Sequence, residues 1–415
     1  MEKEILIQFN GKTFSADKGI DPIDYTRERF REFLLVNNLT FLFGTGSSIA
    51  VNKAAGKPSI TLVQMPSQIL ESIKAQGLQK LYKDLKGRYV SGQYKEKEPP
   101  LESFLAFLYS ITTVGSHDSS LVSVTVSEVE KLIKAIKIEL VKMCADIPAD
   151  DKSLLHHKHF LKRVLARPTT LPRVNLATVN YDLLFEEAMD DLGIVYVDGF
   201  SKGLKRFFKP ETYNYDYYYP ASTTEGRVHR MEKVLHYYKI HGSLNWIQSN
   251  DSSFNNIYGI EQLPSPPKDN VESILIYPAP MKETETLGFP YSDLFRRFAY
   301  CVEQPQSVLI TYGYSFGDEH INRIIRDAMS IPSFQLVVVS FDCPDNSPLD
   351  KFYQSMKDVE NVSFVIGKEF AEWETFTKEI LPDIPNSEIE EKVRERLAKA
   401  KRAERAMKGE AQDGE

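Results

Sequence analysis

Four apolar segments of this chain end alike. The run 40–43 leads into Gly44, Thr45, Gly46, Ser47 and Ser48. The run 174–177 leads into Thr178, Val179, Asn180, Tyr181 and Asp182. The run 234–240 leads into His241, Gly242 and Ser243, and the run 308–312 into Gly313, Tyr314, Ser315, Phe316, Gly317 and Asp318. Each is an apolar strand followed by small or polar residues. With helical periodicity between such units, the pattern predicts an α/β fold: a Rossmann-like parallel sheet with helices on both faces. In an open sheet of that kind ligands bind beyond the strand C-termini, so four such ends suggest one site.

The remaining segments fill in this frame. A short strand is expected at 4–9 and an amphipathic helix at 22–37, where Ile23, Phe30, Phe33, Leu34 and Leu35 share a broad face. Residues 65–165 are mostly helical in character. Leu101–Tyr109 and Val124–Met143 have helix-like apolar spacing, and Thr112–Ser120 between them reads as a loop. The stretch from about 55 to 168 is therefore expected as a helical insertion between strands. Next come strand 173–178, helix 182–192, strand 194–197, and a loop-rich stretch, 198–225, that holds Tyr213, Tyr215, Tyr217, Tyr218 and Tyr219. Strands near 227–240 and at 243–248, a loop with Pro264, Pro266 and Pro267, strand 273–277, helix 291–303, strand 307–312, helix 318–329 and strands 335–340 and 361–366 complete the alternation. Residues 1–380 are expected as one catalytic domain. Residues 381–415 are charge-dense and read as a solvated helix, a tail, or a helix completed by a partner.

Composition excludes several classes. With 415 residues and 42% apolar content, the chain can fill a large core. A net charge of -7 gives no electrostatic case for direct nucleic-acid binding. Cys144, Cys301 and Cys343 lie far apart without a CxxC pair, which excludes a cysteine-based zinc ribbon and points to a reducing cytoplasm. The first residues lack the pattern of a signal peptide, and no apolar run is long enough to span a bilayer. A cytoplasmic location without membrane contact is expected.

Each strand end has a structural and a chemical reading. Glycines at 44 and 46 let the backbone turn tightly or approach a phosphate at a helix N-terminus. Asp182, and Ser315 or Asp318, can cap helices. Asn180 and His241 are polar side chains at the ends of two different strands. His156, His157 and His159 cluster at a helix start, but no third ligand on a second element is evident, so no metal is expected. His229 and His236 read as strand surface residues.

Together the motifs Gly44-Thr45-Gly46-Ser47, Asn180-Tyr181-Asp182, His241-Gly242-Ser243-Leu244 and Gly313-Tyr314-Ser315 resemble the sirtuin-like family, in its bacterial branch. They occur in the family's order over about residues 40–330. The resemblance implies a Rossmann-like NAD-binding fold. It places the Gly44–Ser48 turn, with Gly46 and Ser47, on the NAD pyrophosphate. Asn180 would sit against the nicotinamide ribose and a reacting water, on the turn that follows Thr178. Asp182 would support that ribose or the nicotinamide, His241 would be the general base, and Gly313 and Ser315 would contact the adenosine half. The four zinc-binding cysteines of sirtuin deacetylases are missing. So is their Pro-Asp-Phe-Arg run after the glycine turn, where Ala50-Val51-Asn52-Lys53 stands instead. These departures are shared with the sirtuin-like NAD hydrolases of anti-phage defence, which deplete NAD in abortive infection.

The resemblance thus implies NAD as substrate, cleaved to nicotinamide and ADP-ribose. A toxic NAD hydrolase needs a gate. No separate sensor segment is evident after residue 380, so the expected gate is homo-oligomerisation, a partner chain, or both. Related short sirtuin-like proteins pair with a HerA-type hexameric ATPase that translocates DNA, which implies such a partner here. The Tyr213–Tyr219 cluster, the helices in 65–165 and the charged tail are candidate contact surfaces. The helical insertion, which follows the glycine turn directly, is expected to close over the site. Two alternatives stand beside this reading: an NAD-dependent protein deacylase, and a non-catalytic nucleotide-binding scaffold.

Overall fold

A computed structural model describes residues 6–15, 19–54, 66–118, 120, 124–147, 150–219, 230–249, 256–267, 273–275 and 290–383. Expectations for 4–5, 227–229 (with His229), 276–277, the linker 55–65 and most of the charged tail, 384–415, lie outside the described residues.

The main sheet has nine strands in the order β2-β1-β13-β12-β11-β3-β4-β7-β5. Its centre is parallel: β3 (Asn38–Phe43), β4 (Asn175–Thr178), β5 (Val195–Val197), β7 (Val234–Lys239), β11 (Ser307–Tyr312), β12 (Gln335–Ser340) and β13 (Val362–Ile366). The hairpin β1 (Leu6–Phe9) and β2 (Lys12–Thr13) adds antiparallel strands at one edge. Alternation along each strand feeds two cores. Phe41, Phe43, Ile310 and Val337 face one side, and Leu42, Leu309, Leu336 and Val338 face the other. This two-sided burial explains why these strands are nearly continuous apolar runs. The fold is the expected Rossmann-like α/β arrangement.

Helices cover both faces. Helix α1 (Pro22–Leu34) starts at Asp21, whose carboxylate accepts from the N–H groups of Ile23 and Asp24, with Pro22 in the first turn. Helix α2 (Gly46–Ala54) follows β3 directly. A module of α3 (Ser67–Ala75), α4 (Gln79–Arg88), α5 (Leu101–His117) and α6 (Val126–Ala145) packs around its own core of Phe104, Leu108, Leu132 and Ile136. Helix α7 (Leu155–Val164) leaves that module and packs on the sheet, where Phe160 meets Phe41 and Phe43 edge-on. Beyond the module come α8 (Leu184–Asp191), α9 (Tyr291–Val302), α10 (Glu319–Ala328) and α11 (Pro348–Met356).

Four local expectations are corrected. Thr112–Ser120 is not a loop, because α5 continues to His117. Its hydroxyls fold back on the helix: Thr112 and Thr113 donate to the Tyr109 carbonyl at 2.9 Å, and Ser116 to that of Thr112 at 2.7 Å. Helix α11 was not anticipated between the last two strands; Ser347 caps it and Pro348 opens it. Of the tyrosine cluster, Tyr213 is core rather than surface: it stacks on Tyr238 at 4.7 Å. His236 is half-buried, because β7 has a neighbour on each side, and burial lowers its pKa to about 4.

The strands expected at 243–248 and 273–277 lie outside the main sheet, in a second sheet of four antiparallel strands that the alternation does not predict. Its order is β10 (Ser273–Leu275), β8 (Gly242–Gln248), β9 (Ile260–Gln262) and β6 (Arg206–Phe207). Strand β8 begins immediately after His241, so the histidine sits at the joint between the two sheets.

Candidate active site

The register gathers the four strand ends. Tyr312 pairs with Phe43, Phe43 with Thr178, and Thr178 with Lys239. The turns that open at Gly313, Gly44, Asn180 and His241 therefore follow one another along one edge of the sheet. Asn180 and His241 each stand two residues past the last rung of β4 and β7, and Ile240 N–H still donates to the Thr178 carbonyl at 3.0 Å. Connections from β3 build the sheet one way and those from β11 the other, so the Gly44 and Gly313 turns flank the topological switch point. Crevices at such points are the usual ligand sites of open α/β sheets.

At that point the glycines answer first to one another. Gly46 N–H donates to the Gly313 carbonyl at 3.3 Å, and Gly44 N–H to that of Tyr312 at 3.0 Å. A Cβ on Gly46 would lie 2.6 Å from Gly313 Cα, and one on Gly44 would lie 2.7 Å from Tyr314 Cα. Gly313 itself has φ +57°. The two turns thus meet backbone to backbone, which only glycine permits.

Asn180 is tied into this joint. Its Nδ2 donates to the Gly44 carbonyl at 2.8 Å, to Ser48 Oγ at 2.9 Å and to Ser47 Oγ at 3.3 Å. Ser48 in turn donates to Asp182 Oδ2 at 2.5 Å, while Asp182 Oδ1 accepts from Leu184 N–H at 3.2 Å at the start of α8. Thr178 Oγ1 donates to the Phe43 carbonyl at 3.3 Å and accepts from Asn180 N–H at 3.0 Å. Gly44, Ser47, Ser48, Thr178, Asn180 and Asp182 therefore form one hydrogen-bonded web. Ser315 lies apart from it, exposed on the loop before α10.

Three buried polar atoms here lack a hydrogen-bond partner among the described residues: Asn180 Oδ1, His241 Nε2 and Ser243 Oγ. Leaving such a group unsatisfied costs about 1–3 kcal/mol, which a bound donor or acceptor would offset. His241 Nε2 is 3.0 Å from Asp318 Oδ2, within reach but off hydrogen-bond alignment. The Phe295 ring lies 6.3 Å from the imidazole.

Two residues beside the predicted site residues have contacts that the sequence pattern does not show. Lys239 is buried in β7, where its ammonium donates to the carbonyls of Tyr181, at 3.1 Å, and Asp182, and lies 3.1 Å from Glu186 Oε1. For Asp318 the sequence shows a helix cap on a strand-end loop, but no partner in His241. It does cap α10, and it also faces His241.

Burial disfavours the thiolate at two of the three cysteines. Burial pushes the Cys144 thiol up to about 12, with the Asp182 charge adding to the shift, and pushes Cys301 up to about 11. Among the described residues no group of three His, Cys, Asp or Glu side chains could hold a metal ion. His157 is sealed in the core beside Trp373, whose Nε1 donates to its Nδ1 at 3.3 Å, and burial lowers its pKa to about 3. No described helix is long and apolar enough to cross a membrane.

No curated protein matches the chain. A solved structure titled "Sir2-p53 peptide-NAD+" aligns at 11% identity, over 85% of this chain and 96% of that one, with a TM-score of 0.34. The family comparison is local and falls on the site: residues 174–356, which hold Asn180, Asp182, Lys239, His241 and Asp318, match the SIR2-like domain.

Proposed function

We propose that the chain is an NAD glycohydrolase, with NAD as substrate rather than as resident cofactor. The observation that carries the reading is the pairing of Asn180 with His241 at neighbouring strand ends beside the switch point. The amide of Asn180 is clamped by Gly44 and Ser48, and its Oδ1 is left as a buried acceptor without a partner. The SIR2-like match over the same residues supports an NAD-using activity.

The reaction is NAD plus water to ADP-ribose, nicotinamide and a proton. The bond from ribose C1′ to the pyridinium nitrogen breaks and its electron pair neutralises the ring, so nicotinamide leaves without a general acid. A carbon–oxygen bond forms from water to C1′. Asn180 Oδ1 orients that water or a ribose hydroxyl, and His241 takes the water's proton and passes it to solvent. Asp182 and Ser48 hold the Asn180 amide, so their first effect is on its orientation. In this reading, which the sequence resemblance supports, the Gly44–Ser48 and Gly313–Ser315 turns would contact the dinucleotide.

In the biological reading this activity depletes NAD as an anti-phage abortive-infection effector. Its gate is homo-oligomerisation together with a HerA-type ATPase partner. Support for the gate comes from the sequence resemblance and from the toxicity of an unregulated NAD hydrolase.

The test is chromatographic. Purified protein is incubated with NAD, alone and with a HerA-type ATPase, and nicotinamide and ADP-ribose are measured. Equal release of both is expected, with Asn180→Ala and His241→Ala each at least about 100-fold slower. Absence of turnover in both conditions overturns the reading.

A further inference from the structure

The two oxygens of Asp318 face different groups. Oδ1 accepts from the backbone N–H of His320 at 3.0 Å and of Ile321 at 3.3 Å, capping α10. Oδ2 stands 3.0 Å from His241 Nε2. These side chains come from β11 and β7, which are separated in the sheet by β3 and β4. Three strand spacings of about 4.8 Å lie between them. Only a loop that reaches across the sheet edge can bring them together.

That loop is held for the purpose. Phe316 takes φ +58°, and its carbonyl accepts from Asn322 Nδ2 at 2.8 Å. The Tyr314 hydroxyl lies 3.2 Å from the Asp318 carbonyl and 3.1 Å from Asn322 Oδ1. Asp318 is therefore fixed at its backbone and at one carboxylate oxygen, which leaves the other oxygen in a set position over His241.

We propose that Asp318 is a positioning residue that holds His241 in the tautomer with its proton on Nε2, so that Nδ1 keeps the lone pair that accepts a proton in the reaction. This rests on the assignment of His241 as base. An ionised carboxylate only accepts hydrogen bonds, so the imidazole nitrogen facing it must carry hydrogen. The tautomer of a histidine base is commonly set through the nitrogen not used in the reaction. The N–H to Oδ2 line is not yet straight, and such bonds often tighten only when substrate is bound.

Asp318→Asn separates the two roles of the residue. Asparagine caps helices as well as aspartate does, so the cap survives through its Oδ1. Its Nδ2 is a donor where Oδ2 was an acceptor, which drives the His241 proton to Nδ1 and removes the reacting lone pair. The expected result is a kcat about 100-fold lower, a KM for NAD within about twofold, and an unchanged melting temperature. Asp318→Ala loses the cap and so melts at a lower temperature than wild type, but it forces no tautomer. It should be the less stable variant and the more active one, an order that a purely structural role would reverse.

The second readout is independent of turnover. In protein labelled with 15N-histidine, the His241 imidazole is assigned by its loss in His241→Gln. Its one-proton pattern should show hydrogen on Nε2 in the wild type and on Nδ1 in Asp318→Asn. A wild-type His241 with hydrogen on Nδ1, or an Asp318→Asn enzyme with wild-type kcat, overturns the proposal. If the wild-type chain turns over no NAD, the reaction assigned above fails while the imidazole pattern still decides the tautomer.

Discussion

Lys239 precedes the candidate base by two residues and is among the most buried side chains of the protein, at 2% exposure. A lysine so placed needs three acceptors, and it has them in the carbonyls of Tyr181 and Asp182 and the carboxylate of Glu186. Glu186 also accepts from the Tyr237 hydroxyl at 2.9 Å. The ammonium therefore pins the Asn180–Asp182 turn to β7. Burial raises the Glu186 pKa, and Lys239 opposes that shift. Lys239→Met should cost about 3–5 kcal/mol, because it strands a buried carboxylate. A carboxyl whose folded pKa is raised favours folding only while protonated, so its contribution is lost as pH rises from its unfolded value through the folded one. Removing Lys239 raises that folded value further. The variant should then lose stability more steeply than wild type across that window, and Lys239→Met with Glu186→Gln should recover much of the loss. Denaturant melts at several pH values check this, and a pH-independent deficit that Glu186→Gln leaves unchanged refutes it. None of this was legible in the sequence, where a lysine in a strand reads as solvent-facing. The same holds for the second oxygen of Asp318, whose partner is set by the path of a loop rather than by any local pattern.

At the scale of elements, the sequence was informative wherever burial imposed a period. Strands β3, β11 and β12 and helix α6 fell within a few residues of expectation, since long apolar runs and regular stripes leave one solution. The small antiparallel sheet escaped, although strands were expected at 243–248 and 273–277, because β6 and β9, which complete it, are two and three residues long, too short to show a period. The glycine turn was recognised, but with only half of its physics. Gly46 opens a helix without positive φ, so alanine would ordinarily improve that position. Here its Cβ would strike the Gly313 backbone. Gly46→Ala should cost about 1–3 kcal/mol and displace the Gly44 carbonyl that holds Asn180, so turnover falls with it. Gly87→Ala in α4, where nothing lies within 4 Å of the new methyl, should instead gain about 0.5–1 kcal/mol. Opposite signs in a thermal melt are expected of this pair. A stabilised Gly46→Ala would show that the two turns are not locked together.

For the whole molecule, the question is how the helical module and the sheet share the site. Sequence spacing gave the module its helices but not its attachment. Its core closes only by borrowing Tyr181, from the turn after β4, and Leu244, from β8. Each is next to a site residue, Tyr181 between Asn180 and Asp182, and Leu244 beside Ser243. Leu244 N–H also donates to the Tyr181 carbonyl at 3.1 Å. The module is thus anchored on the two segments that hold the candidate site residues, and Tyr181, packed in the module's core, is the chain neighbour of Asn180. Leu244→Ala removes a fully buried anchor and should cost about 2–5 kcal/mol. The loss should not be uniform. Amide exchange should quicken in α5 and α6 while β3, β11 and β12 stay protected, because the sheet keeps both of its own cores. NAD turnover should fall in the same variant through the loosened Tyr181 turn. Equal loss of protection in module and sheet would mean that the two unfold as one unit.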